Sequence, residues 1–131
     1  MDFNYSRPTL NVVDWENEKT ACYQVEVKGI CVSRRQDNDM VNCTKLLNLA
    51  NLSRTRREAI LNNEEYRVVN RVGSMALKGV WLPFDKAKYL AETYGLTDIL
   101  YPLLANDPST FYHPSLINST HNSLFIRNPQ S

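Results

Sequence analysis

The chain has 131 residues, 43% apolar and 22% charged, and a net charge of only +1, which suits one globular domain with its own core and by itself singles out no acidic partner. No apolar run approaches the ~20 residues that span a bilayer, and the opening MDFNYSRPTL lacks the apolar segment of a secretory signal, so neither a membrane nor an export role is expected. Cys22, Cys31 and Cys43 are odd in number and form no CxxC; they read as reduced thiols of an intracellular protein, and with His113 and His121 far downstream no zinc site is expected.

In chain order, residues 1–13 read as an irregular arm. TACYQVEV (20–27) is rich in β-branched and aromatic residues, and Lys28-Gly29 turns it into ICVSRR (30–35), which reads as its hairpin partner. Arg34 and Arg35 alternate faces of that strand and are not assigned to a binding surface. QDND (36–39) reads as an Asx turn, since the acids lack the distal Glu of a calcium loop. NCTKLLNLA (42–50) reads as a short helix capped by Asn42 or Thr44, with Leu46, Leu49 and Ala50 on one face. A second helix follows at SRTRREAIL (53–61). Ser53 or Thr55 can cap it, Thr55 to Glu58 fits a capping box, and Ile60 and Leu61 anchor it. Two short helices joined by a few residues match a helix-turn-helix.

YRVVNRV (66–72), Gly73-Ser74 and MALKGVWL (75–82) read as a hairpin with a tight type II′ turn that pairs Val72 with Met75. That register places Arg67, Arg71 and Lys78 on one face, and Val68, Val72, Met75, Leu77 and Trp81 on the inward face. Pro83 ends the strand. FDKAKYLAETYG (84–95) carries an apolar stripe of Phe84, Ala87, Leu90, Ala91 and Tyr94, with Gly95 past its end. Thr97 caps a last helix, TDILYPLLA, interrupted at Pro102. The tail 108–131 reads as mostly irregular, with Phe111, Tyr112 or Phe125 as docking side chains.

Charge is unevenly spread. Residues 45–78 carry seven Lys or Arg against three Glu, a net of +4, while 1–44 net −2 and 79–131 net −1. Arg54, Arg56 and Arg57 fall at a helix N-terminus, where the backbone already presents about half a positive charge and each added cation costs roughly 0.3–1 kcal/mol. Stability alone would favour Asp or Glu there. A phosphate group would supply the missing negative charge, and arginine forks suit guanine edges.

In "CYQVEVKGICVSRRQDNDMVNCTKLLNLA", "SRTRREAIL", "GSMALKGVWLPFDKAKYLA" and "LYPLL" the chain resembles the DNA-binding domain of fungal APSES transcription regulators, relatives of KilA-N domains, and within them the StuA-like branch. The likeness covers 14–107. It implies an α+β fold, with a small antiparallel sheet, a helix-turn-helix, a β-hairpin wing and two C-terminal helices. It also implies sequence-specific binding of double-stranded DNA at a CGCG-type or E-box-like site, transcription control and a nuclear location. Where the StuA-like pattern reads T-R-G-R-R-D-G-I-L, this chain reads S-R-T-R-R-E-A-I-L. A turn with positive φ would strain Thr55; the alternative is a helix extended through it. Cys43 likewise stands where the family has Gly.

The expected DNA-binding residues are Arg54, Arg56 and Arg57, then Arg71, Ser74 and Lys78 on the wing, with Thr44 and Lys45 at the first helix. Arg67 is equally suited to a salt bridge with Glu64 or Glu65. No cofactor, small-molecule ligand or metal is expected. A second copy or other transcription proteins are further candidate partners. An enzyme is not expected: 14–107 holds no histidine, no Ser or Cys with an obvious general base and no phosphate-binding glycine loop. The rival readings are a protein-interaction module on the same scaffold and a non-specific DNA binder.

Overall fold

The computed structural model describes residues 7–112; Phe125, His113 and His121 lie outside them. The first hairpin forms as read. Strand β2 (Thr20–Val27) and strand β3 (Ile30–Arg35) pair antiparallel with Val27 opposite Ile30. Lys28 and Gly29 both adopt positive φ, 53° and 79°, the twist that a two-residue hairpin requires. At 36–39 the backbone N–H of Met40 donates to Asn38 Oδ1 at 3.0 Å, an Asx turn.

The segment read as an irregular arm enters the sheet before residue 14. Strand β1 (Asn11–Trp15) lies along β2, with Val13 opposite Cys22, and Leu10 is buried just ahead of it. Val12 and Val13 offer β-branched side chains to an otherwise open edge, which outweighs the polar residues around them. Strand β4 (Val41–Asn42) is only two residues long, yet it pairs with β3 on one side and with strand β6 (Gly79–Leu82) on the other. Strand β5 (Val68–Asn70) closes the sheet order β1-β2-β3-β4-β6-β5, antiparallel throughout.

Helix α1 (Cys43–Leu47) starts directly from β4 and is capped by Asn42, whose side chain accepts from Lys45 N–H. It stops short of the 42–50 span because the chain turns at Asn48 to reach helix α2 (Arg54–Asn62). Ser53, not Thr55, caps α2, accepting from Arg56 N–H at 3.1 Å. Thr55 lies inside the helix, so no capping box forms, and Glu58 instead meets Arg54 four residues back at 3.0 Å. The extended-helix alternative holds, and Thr55 needs no positive φ. Helix α3 (Phe84–Thr93) ends as its glycine indicates: Gly95 has φ 70°, its N–H donates to Glu92 O, and Leu96 N–H donates to Ala91 O at 2.7 Å. Helix α4 (Thr97–Leu100) is shorter than TDILYPLLA, and the N-cap position falls on Leu96 rather than Thr97.

The second hairpin departs most from the sequence reading. Val68 faces Trp81, Val69 faces Val80 and Asn70 faces Gly79, a register two residues away from the tight-turn pairing. Residues 71–78 form a loop containing a 3-10 turn at Met75–Leu77. Leu77 and Trp81 are buried, but Val68, Val72 and Met75 are exposed. The tight turn loses because Asn70 takes over its closure: Asn70 Nδ2 donates to Val72 O and Leu77 O, each at 2.9 Å.

The helices cover one face of the sheet. Val25, Val32, Val41 and Leu82 meet Leu46, Leu47, Leu61, Leu90 and Leu100 there, with Phe111 and Tyr112 packed on the rim. The other face holds a smaller cluster of Trp15, Cys22, Leu77 and Trp81. The adjacent arginines of β3 serve one face each. Arg34, only 2% exposed, pairs with Asp39 at 3.2 Å, lies 4.0 Å from the Phe84 ring centroid and donates to the carbonyls of Leu103 (2.9 Å) and Ala105 (2.6 Å). Arg35 lies over Trp15 and pairs with Asp37 at 2.8 Å and Glu18 at 3.0 Å.

Arg34 therefore ties the segment after α4 to the middle of the sheet, and Arg34→Ala should lower the unfolding free energy by about 3 kcal/mol, measured by urea denaturation. A loss below about 1 kcal/mol would contradict that tie. Burial pushes the Cys22 thiol up to about 12 and the Cys43 thiol well above its ordinary value. A raised value leaves almost no thiolate at pH 8. Ellman's reagent should therefore spare Cys22 and Cys43 in the native protein and titrate every thiol in denaturant.

Candidate nucleic-acid interface

The candidate surface is organised around Asn42, which is fully buried. Its Oδ1 accepts from Lys45 N–H at 3.3 Å, which starts α1. Its Nδ2 donates to Lys78 O at 2.9 Å and Ala76 O at 3.3 Å, which anchors the 71–78 loop. One amide thus joins the first helix to the second hairpin. Thr44 adds a second link, its Oγ1 accepting from Val80 N–H at 2.8 Å. This approach needs a glycine at 79: a Cβ there would lie 2.5 Å from Asn42 Oδ1 and 2.8 Å from Thr44 Cβ, and its φ is 141°.

Helix α2 presents the arginine cluster. Its first turn holds no acidic residue. Arg54 has an 83% exposed side chain that meets Glu58. Arg56 is exposed, and half-buried Arg57 donates from Nη1 to Leu52 O at 2.6 Å, which fixes the start of its guanidinium relative to the inter-helix turn. Thr44, Asn48, Arg54, Arg57, Glu58, Leu61, Asn62 and Val80 line a cleft of about 310 Å³ between α1 and α2. A second cleft of about 260 Å³ opens on the other side of α1, lined by Lys45 and Asn48 with Met75, Ala76 and the first hairpin turn at Gly29–Cys31.

Of the residues expected from the sequence, Thr44, Arg54 and Arg57 share the first cleft, and Lys45 stands in the second. Arg71 and Ser74 are exposed on the 71–78 loop, and Lys78 is half-buried at its base. The single ribbon face of Arg67, Arg71 and Lys78 does not form, because Arg71 and Lys78 lie in the loop rather than in paired strands. Arg67 makes neither side-chain ion pair expected of it. Its Nη1 donates to the carbonyls of Glu64 at 2.8 Å and Asn62 at 3.2 Å, closing the end of α2. Glu64 instead approaches Lys86 at 3.9 Å.

Asn48 was not singled out by the sequence reading. It is exposed and lines both clefts, one turn beyond Thr44. The available signal was its polarity within an otherwise apolar turn, LLNLA. Among the described residues, no three His, Cys, Asp or Glu side chains gather in a way that would hold a metal ion, and no helix is long and apolar enough to cross a membrane.

Comparison with known proteins bears on this surface. The KilA-N domain family matches residues 24–114. The cell pattern formation-associated protein StuA of Aspergillus fumigatus is 45% identical over 126 residues, which is 95% of this chain and 20% of that protein. Ust1 of Mycosarcoma maydis, which bears the same description, is 54% identical over 101 residues, 76% of this chain and 16% of its own length. The chain thus spans a fifth or less of these relatives. Among solved structures, MBP1 from Saccharomyces cerevisiae superposes with a TM-score of 0.64 at 28% identity, over 72% of this chain and 98% of that one. A DNA complex of PCG2 shares the fold with a TM-score of 0.67 at 23% identity, over 77% and 91%. The α+β, winged-helix-like architecture read from the sequence agrees with both.

Gly79→Ala should destabilise the fold by about 2–3 kcal/mol, since both the added Cβ and the positive φ oppose it. Thermal unfolding checks this, and a change within about 0.5 kcal/mol would show that the Asn42 junction tolerates displacement.

Proposed function

The chain belongs to the KilA-N domain family, with StuA and Ust1 as close relatives, and from that premise we propose that it reads double-stranded DNA sequence-specifically in a nuclear transcription regulator. The observation that carries this reading is the α2 N-terminus: three arginines, no acid in the first turn, and a cleft beside them. A duplex phosphate compensates this charge, and an arginine fork matches O6 and N7 of guanine. Arg54, Arg56 and Arg57 are the proposed base and phosphate contacts, at a CGCG-type or EBox-like site. Arg71, Ser74 and Lys78 form the wing contact, and Lys45 reaches a backbone phosphate. Thr44 and Arg67 support the surface, the first through Val80 and the second through the end of α2. The binding unit is the 14–107 body, extended at its front by the opening residues of β1. The PCG2 structure, solved as a DNA complex on the same fold, supports this reading, and so does family membership for a non-catalytic role.

A second reading, a protein-interaction module, draws on the exposed Val68 and Val69 of the outer strand of the sheet and on Tyr66 just ahead of it. Salt separates the two. With ~6 phosphates contacted, log K should fall against log[salt] with a slope near −5. Fluorescence anisotropy with a CGCG-type duplex and a scrambled duplex of the same composition should show that slope and a preference for the first. The triple variant Arg54→Ala, Arg56→Ala, Arg57→Ala should lose about 3 kcal/mol or more of specific binding, at ~1 kcal/mol per contact. Its unfolding free energy should stay within about 1 kcal/mol of the parent. Unchanged affinity in that variant would overturn the assignment of the arginines. Equal binding to both duplexes would leave a non-specific backbone binder.

A further inference from the structure

The 71–78 loop carries more than charge. Val72 is 63% exposed and Met75 is 69% exposed, on either side of Gly73-Ser74 at its tip. Large apolar side chains on a loop tip are normally an avoidable cost in water, and a mobile loop would fold them inward. Here the loop is held open from beneath. Asn70 Nδ2 bridges Val72 O and Leu77 O, Trp81 Nε1 donates to Leu77 O at 3.0 Å, and Leu77 N–H donates to Ser74 O at 3.0 Å. Asn42 pins the carbonyls of Ala76 and Lys78 at its base. The Leu77 side chain is buried in the Trp15–Trp81 cluster, which fixes Val72 and Met75 on the outside.

The chemistry around the tip selects what it can meet. The sequence of the loop, RVGSMALK, contains Arg71 and Lys78 and no acidic residue, and Met75 shares its cleft with Lys45. A cation-bracketed apolar tip suits a polyanion with an apolar interior reachable between its charges, which describes stacked base pairs between two phosphate backbones. We propose that the 71–78 loop is a wedge: Val72 and Met75 press into a base step of the bound duplex while Arg71 and Lys78 hold the flanking phosphates, so that binding bends the DNA. This rests on the DNA-binding reading and adds to it a deformation of the ligand. Pyrimidine–purine steps unstack most readily, so such a step would be favoured beneath the tip without any hydrogen bond to it.

The test is the end-to-end distance of a short CGCG-type duplex, labelled at both ends and read by energy transfer in the fully bound state. The parent chain should shorten it by a bend within the roughly 20–90° range of apolar wedges. The double variant Val72→Ser, Met75→Ser removes only exposed apolar groups, so it should fold normally and bind the duplex, with the bend reduced by at least half. Val72→Ile with Met75→Leu should keep the bend. If the serine variant bends the duplex as far as the parent, or the parent binds a duplex that stays straight, the wedge is overturned while DNA binding stands. If the parent binds no duplex at low salt, the DNA-binding reading falls and the wedge with it.

Discussion

The close approach of Asn42 to Gly79 sets the geometry of the whole candidate surface. A buried amide with one acceptor and two donors can serve three backbone partners at once, and Asn42 does so across a two-residue strand, a helix start and a loop base. Aspartate would lack the donors that reach Ala76 O and Lys78 O. An apolar residue of similar size would leave those groups and Lys45 N–H without this partner. The junction also explains how so short a strand as β4 persists: its ladder continues into side-chain bonds, and it sits between β3 and β6 rather than at an edge.

Arginine plays two opposed roles in this chain. Arg34 and Arg35 are enclosed by acids, carbonyls and aromatic rings, so their charge is spent within the fold. Arg67 is similarly turned back onto the chain. At α2 the same residue type is placed against the helix dipole, where Arg54 meets Glu58, Arg57 gives one N–H to the Leu52 carbonyl and Arg56 is exposed. An exposed pair of that kind is worth only ~0.3–0.5 kcal/mol, too little to offset three cations at an N-terminus. Counting arginines in the sequence does not distinguish these roles; the position of each relative to helix ends and buried carbonyls does.

Legibility followed the range of the interactions involved. The first hairpin, the apolar stripe of α3 and its glycine stop, and the arginine cluster are specified within about ten residues, and each was readable from the sequence. The second hairpin was misread because Asn70 closes the loop with side-chain bonds that turn residues alone do not signal, and because its base is anchored by Asn42, some thirty positions upstream. Local turn chemistry at Gly73-Ser74 pointed to a shorter loop than the tertiary contacts allow. β4 was invisible for a related reason, since two residues carry no periodicity. Arg34 illustrates the limit for single side chains: strand alternation separates it from Arg35, but which face it takes and its partners at 103–106 are fixed only by the path of the chain after α4.

The two limbs of the surface, α2 and the 71–78 loop, are therefore not independent. Both are referenced to the β4–α1 junction, α2 through its packing beside α1 and the loop through Asn42. Thr55 and Ala59 favour one limb's rigidity, because α2 runs continuously from Arg54 through both and each has better helical preference than glycine. Asn70 and Trp81 stiffen the other. When two contact elements are locked at a fixed separation, little of the adjustment needed to engage both can come from the protein. A ligand that touches α2 and the loop together must supply the remainder, and in a duplex that adjustment takes the form of groove width and bend.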